Sequence, residues 1–226
     1  AGTRFRRVKA LYDSGWHHPF AAYLGVLVLL ALLPRARRDP FLFGWLSFFG
    51  LVLAADATVT GAWSPLSSDS PAFMPLSIAF VILGDARFFV LQERHARPNA
   101  SLGKVLAFAA ATSLVVPVTS LGLRTLFPVL AEGRYLFLSY ELLALTLVLT
   151  LWFVRYRPAL EGATLRWMRG ATAVFATLYA LWATADVVLL LGVELGHLLR
   201  IVPNVLYYAV FLVFVAATAP SRAEAA

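Results

Sequence analysis

The sequence predicts an all-α, polytopic transmembrane helix bundle of about seven spans, and three observations predict it. Hydrophobic residues make up 61% of the 226 residues and charged residues only 14%, with a mean hydropathy of +0.78. A soluble domain carries about a quarter charged residues. The apolar residues fall in long runs, as bilayer-spanning helices require. Lys and Arg gather in short clusters between those runs, "RARRD", "RYRP" and "RWMR" among them.

Taken in order, the runs predict spans at 20–34, 41–63, 72–92, 104–121, 135–154, 168–192 and 198–219. The first follows "GWHHPF" and precedes "LLPRARRDP", which has no small-residue cleavage site, so it reads as a retained helix rather than a signal peptide. The second carries Asp56 and Thr60, and the third carries Asp85 and Arg87 before the polar tail Gln92–His95. In the fourth, Pro117 and the following "GLRTLFPVLAEG" predict a bent end or an interfacial segment. The fifth holds Glu141, and the sixth holds Tyr179, Trp182 and Asp186. The seventh begins beside His197 and carries Pro203-Asn204 and Tyr207-Tyr208, a polar stripe expected to face the bundle. No stretch between spans is long enough for a second domain, so residues 1–226 read as one integral membrane domain.

Orientation follows from the short loops. Arg35, Arg37, Arg38, Arg94, Arg97, Lys104, Arg155, Arg157, Arg166 and Arg169 lie on one side, against Arg124, Arg134 and Arg200 on the other. The positive-inside rule places the C-terminus in the cytoplasm, most simply at a bacterial inner membrane, with the N-terminus outside. The basic stretch "RFRRVK" at 4–9 opposes this bias and is expected to lie flat on the membrane. The net charge of +7 belongs to these loops and to anionic headgroups. No basic face with interleaved aromatics occurs, so no nucleic acid is expected. Cysteine is absent, which excludes disulfides and thiolate chemistry. No cofactor is expected.

Carboxylates inside hydrocarbon are costly unless protonated, paired or facing water, so each is a candidate working group. Asp56, Glu141 and Asp186 all fall roughly 10 Å below the predicted outer surface, a depth at which they can converge on one polar pocket. Thr60 shares a face with Asp56, and Trp182 shares one with Asp186. Interhelical glue is the plain alternative for any one acid. Asp85 is placed in the inner half of its helix. Arg87, about 200° round from it, cannot pair with it along one face and is expected to snorkel to the inner headgroups.

Other chemistries find little support. His17, His18 and His197 lie near the outer surface, yet no HExxH or comparable metal spacing is present. Ser113, Ser120 and Ser139 have no base in a recognisable setting.

The stretches "VILGDARFFVLQERH", "ATADVV" and "NVLYYAVFLVF" together resemble the lysoplasmalogenase-like multi-pass membrane family. The resemblance implies a lipid-processing hydrolase that cleaves the vinyl-ether bond of lysoplasmalogens. Asp85 and Asp186 would be its acid–base pair, one protonating the enol ether and the other activating water. From the residues themselves, Asp56, Glu141, Trp182, Asn204, Tyr207 and Tyr208 are the candidate lining of a binding pocket. From the residues alone, a proton- or cation-coupled small transporter using the same carboxylates, or a membrane scaffold, stays open. Expected partners are membrane lipids, with a lipid substrate or a small cation at the site.

Overall fold

The computed structural model describes residues 8–16 and 18–220. Among them, seven helices are long and apolar enough to cross a membrane: α1 (Pro19–Ala36), α2 (Pro40–Val59), α3 (Phe73–Ala96), α4 (Leu102–Leu126), α5 (Gly133–Ala159), α6 (Gly162–Leu190) and α7 (Gly196–Thr218). The chain is a multi-pass membrane protein.

Local signals set the helix starts. Pro19 and Pro40 occupy the first turns of α1 and α2, where the missing N–H costs nothing. Asp39 caps α2 by accepting from the Leu42 N–H at 3.0 Å. α6 starts at Gly162, whose φ of 56° turns the chain out of the preceding 3₁₀ turn at little cost.

Each helix packs on its neighbours in the chain, and α7 closes the ring against α1. Contacts of α2 with α7 and of α3 with α6 cross the interior. Lipid tails are as apolar as leucine, so close fit rather than transfer from water holds such helices together. One close fit is an aromatic layer. The Phe88 and Phe175 rings stack at 4.5 Å, and Phe211 lies 5.0 Å from Phe175. Leu24, Leu27, Leu51, Val118 and Val154 point outward, a surface only a bilayer tolerates.

Three expectations change. α4 runs unbroken through Pro117 to Leu126, past the expected end at 121, and the irregular piece within the following stretch is the 3₁₀ turn Pro128–Ala131. The breaks fall instead in α5, as a π turn at Trp152–Tyr156, and in α7, as a π turn at Leu206–Val210. α3 continues to Ala96 because Gln92 and Glu93 are buried against neighbouring helices instead of reaching solvent. Asp85 therefore sits at the middle of its helix, not in the inner half. Arg87 does not snorkel either. It is 0% exposed, because the aromatic rings of α6 and α7 enclose its guanidinium more than two turns from the helix end.

Candidate functional site

Two polar centres lie along the bundle, one near the end that carries Arg200 and one at mid-depth. α7 joins them. Arg200, Asn204, Tyr207 and Phe211 follow at intervals of four, three and four residues and so share a face.

At the Arg200 end, Nη1 of Arg200 donates to Glu141 Oε1 at 3.4 Å and to Asp186 Oδ1. Its Nε donates to the Tyr12 hydroxyl at 3.4 Å. Arg134 brings a second guanidinium from the rim, 3.6 Å from Asp186 Oδ1. Two carboxylates thus face two guanidiniums, the arrangement that makes buried charge tolerable. Glu141 and Asp186 converge as their common depth predicts.

The mid-depth centre is built on Asp85. The Tyr140 hydroxyl donates to Asp85 Oδ2 at 2.6 Å, and the Tyr179 hydroxyl donates to Oδ1. Among the described residues no cation lies within 4 Å of this carboxylate. Arg87 points away from it: Nη2 donates to the Tyr207 carbonyl at 2.8 Å, and the guanidinium sits 4.0 Å over the Tyr207 ring. The Arg87 carbonyl accepts from Trp45 Nε1 at 3.0 Å. On its other side Asp85 meets a crevice too narrow for a water molecule, walled by Phe89, Val116, Leu147 and Val148. One turn further from Arg200, the Phe88–Phe175–Phe211 layer closes the interior.

Asp56 does not join the other acids. Thr60 donates to its Oδ1 at 2.5 Å and Tyr208 to its Oδ2 at 3.0 Å, on the α1–α2–α7 side of the ring. His18 Nε2 lies 4.0 Å from Asp56 Oδ1, and its ring stacks on Tyr208 at 5.0 Å. Burial pushes the His18 imidazole down to about 4. Trp182 turns from Asp186 to donate to Asn204 Oδ1 at 2.8 Å. His17 lies outside the described residues, as do 4–7 of the basic stretch. Among the described residues no group of three His, Asp or Glu could hold a metal ion. Ser113 and Ser139 donate to the carbonyls one turn back, of Ala109 and Tyr135, as ordinary helical serines do.

Asp85 and Asp186 therefore occupy separate centres. Tyr179, which binds Asp85, precedes Asp186 by seven residues on α6, roughly 10 Å along the axis. The two meet through α5, where Tyr140 reaches the deeper centre and Glu141 the shallower one. Sequence reading missed Arg200, counted among loop cations, and the tyrosines at 140 and 179 as donors to Asp85. It also missed the opposite end, where Arg155 clamps Glu93 at 2.9 and 2.7 Å.

Comparison of the chain with protein families, curated proteins and solved structures finds no match in any of the three.

Proposed function

We propose that this protein is a small proton- or cation-coupled transporter, with Asp85 as the central proton-accepting carboxylate. One observation carries the reading: the buried acids are strung along the bundle rather than gathered at a point. Asp186 and Glu141 lie near the Arg200 end, and Asp85 lies roughly 10 Å deeper, with Tyr140 and Glu141 side by side on α5 and each serving one of the two centres. An acid–base pair needs both groups at one substrate atom; a relay needs them in series. The π turns in α5 and α7 support the same reading, since interrupted helices frequent transport sites. The aromatic layer beneath Asp85 is the barrier on the far side. With the loop bias, the Arg200 end faces outward and the Glu93 end the cytoplasm.

The test is proton flux. Purified protein is reconstituted into vesicles that enclose a pH-sensitive dye, and a potassium diffusion potential drives protons inward. Wild-type vesicles should acidify faster than protein-free ones, and Asp85→Asn should return the rate to the protein-free level. Wild-type flux no faster than bare lipid rejects the transporter.

One observation favours a second reading, the lysoplasmalogenase-like hydrolase. The crevice that ends at Asp85 between α3, α4, α5 and α6 is walled by apolar side chains, and a hydrocarbon chain would enter it only if these helices part. That reading predicts release of a fatty aldehyde from lysoplasmalogen by wild-type protein, lost in Asp85→Asn and in Asp186→Asn. With the acids in separate centres, Asp186→Asn leaving turnover intact would reject a paired mechanism.

A further inference from the structure

Three of the buried acids carry their own cations. Glu93, Glu141 and Asp186 each have a guanidinium within 3.6 Å. Asp56 has the His18 ring at 4.0 Å. Two buried charges of opposite sign remain, and they stand two residues apart on α3. Among the described residues Asp85 has no cation within 4 Å, and Arg87 has no carboxylate within 4 Å, although both are buried.

Arg87 is held in place as well as buried. Its Nη2 donates to the Tyr207 carbonyl at 2.8 Å, and the rings of Phe175, Tyr207 and Phe211 lie 6.0, 4.0 and 5.1 Å from its guanidinium carbon. Its Nε and Nη1 are buried with no hydrogen-bond partner among the described residues. One carbonyl and three ring faces leave most of the charge uncompensated. An isolated ion in a dry interior is costly, so a charge placed here needs an opposite charge within electrostatic reach.

Asp85 is that charge. Residues two apart on a helix have α-carbons about 5.4 Å apart, and side chains leaving opposite faces put these two charges roughly 10 Å apart. Asp56 is more distant. Trp45 meets the Arg87 carbonyl at 3.0 Å, and Asp56 lies roughly 16 Å beyond Trp45 along α2. The other groups that face Asp85 are uncharged: Tyr140 from α5, Tyr179 from α6 and Ser113 from α4. From α7 comes the Tyr207 hydroxyl, which packs against Gly84.

We infer that Arg87 is the countercharge of Asp85, acting across the body of α3 rather than by contact, and that as a positioning residue it sets the pH at which Asp85 takes up its proton. The deep centre is then neutral with Asp85 ionised and cationic with Asp85 protonated. At roughly 10 Å and an effective dielectric constant of about 20, the fixed cation disfavours protonation roughly tenfold, or about one pH unit. The pairing stands without the transporter reading, and only its effect on proton loading rests on that reading.

The experiment is a double-mutant cycle on full-length protein in detergent, read by chemical unfolding at pH 8.5, where carboxylates are ionised. Arg87→Gln keeps an N–H for the Tyr207 carbonyl and loses the charge, whereas Arg87→Lys keeps both. The combined Asp85→Asn and Arg87→Gln variant should lose less than the sum of the two single losses, by roughly tenfold in the unfolding constant. In the Arg87→Lys background, Asp85→Asn should cost what it costs in the wild type. Should Arg87→Gln not fold, adding Asp85→Asn should restore folding. Additive losses, or a combined variant that also fails to fold, overturn the inference. In the vesicle assay the pH of half-maximal flux should rise by about one unit in Arg87→Gln and stay in place in Arg87→Lys. A midpoint unmoved in Arg87→Gln overturns the role in proton loading. Coupling without wild-type flux rejects the transporter alone, and flux with additive losses rejects the pairing alone.

Discussion

Tyr140 and Glu141 are adjacent in the chain but serve different centres: the Tyr140 hydroxyl donates to Asp85 at 2.6 Å, while Glu141 accepts from Arg200 at 3.4 Å. Consecutive residues on a helix point about 100° apart, so one turn of α5 touches both layers. This predicts an asymmetry between the two tyrosines that hold Asp85. Tyr140→Phe and Tyr179→Phe each remove one donor from a buried carboxylate and should each cost about 1.5–3 kcal/mol of stability. Tyr140 stands on the turn of α5 that also carries Glu141, so a relay running along α5 predicts that proton flux in Tyr140→Phe falls toward the Asp85→Asn level while Tyr179→Phe keeps more. Equal losses of flux would reduce both tyrosines to structural supports.

Gly84 sets a second prediction. A Cβ added there would stand 1.5 Å from the Tyr207 hydroxyl oxygen and 2.7 Å from Cζ of the same ring. The ring cannot retreat freely, because Arg87 packs on it at 4.0 Å. Gly84→Ala should therefore destabilise by about 1–3 kcal/mol, measured as thermal unfolding in detergent. Adding Tyr207→Phe removes the nearest atom and should recover part of that loss. A double variant whose loss is the plain sum of the two single losses would remove the proposed clash.

Much of this was legible in the sequence. Apolar runs marked seven spans, and the cost of buried charge marked Asp85, Glu141 and Asp186. The common depth of Glu141 and Asp186 foretold their meeting. Depth failed for Asp56, because it says nothing about which side of the ring a helix occupies, and α2 stands away from α5 and α6. Arg87 and Arg200 were misread for one reason. Near the end of an apolar run, which for Arg87 is not the end of the helix, hydropathy cannot separate an arginine that reaches lipid headgroups from one that turns inward to an acid or an aromatic ring. The π turns in α5 and α7 left no mark that composition could show.

At the opposite end of the bundle, Arg155 and Glu93 predict unequal costs. Arg155 grips both Glu93 oxygens and lies 4.0 Å over the Phe108 ring. The Glu93 side chain is 4% exposed and the Arg155 side chain 24%. Arg155→Ala strands a buried carboxylate with only Arg97, at 3.6 Å, and should cost about 3 kcal/mol. Glu93→Gln leaves a partly exposed guanidinium that can turn to headgroups, and should cost about 1 kcal/mol. Thermal unfolding of both variants checks the order. A larger loss for Glu93→Gln would mean that Glu93 has partners beyond this clamp.

His18 predicts how stability depends on pH. Burial between α1, α2 and Tyr208 holds its imidazole down to about 4, and a contact with the Asp56 backbone pushes weakly the other way. In the unfolded chain a histidine titrates near 6.5. Above pH 6.5 the ring is neutral in both states and contributes no slope. Between pH 6.5 and 4 the unfolded chain binds a proton that the folded chain lacks, so stability falls as the pH is lowered, by at most about 3 kcal/mol. Below 4 the folded ring is protonated too and the loss levels off. His18→Gln keeps a polar group facing Thr60, which the histidine meets at 3.1 Å, but cannot titrate. The variant should start less stable at pH 7.5 because it loses the stacking on Tyr208. Its unfolding temperature should then fall less than that of the wild type between pH 6.5 and 4.5. Parallel curves for the two proteins across that range would show that His18 gains its proton as readily folded as unfolded.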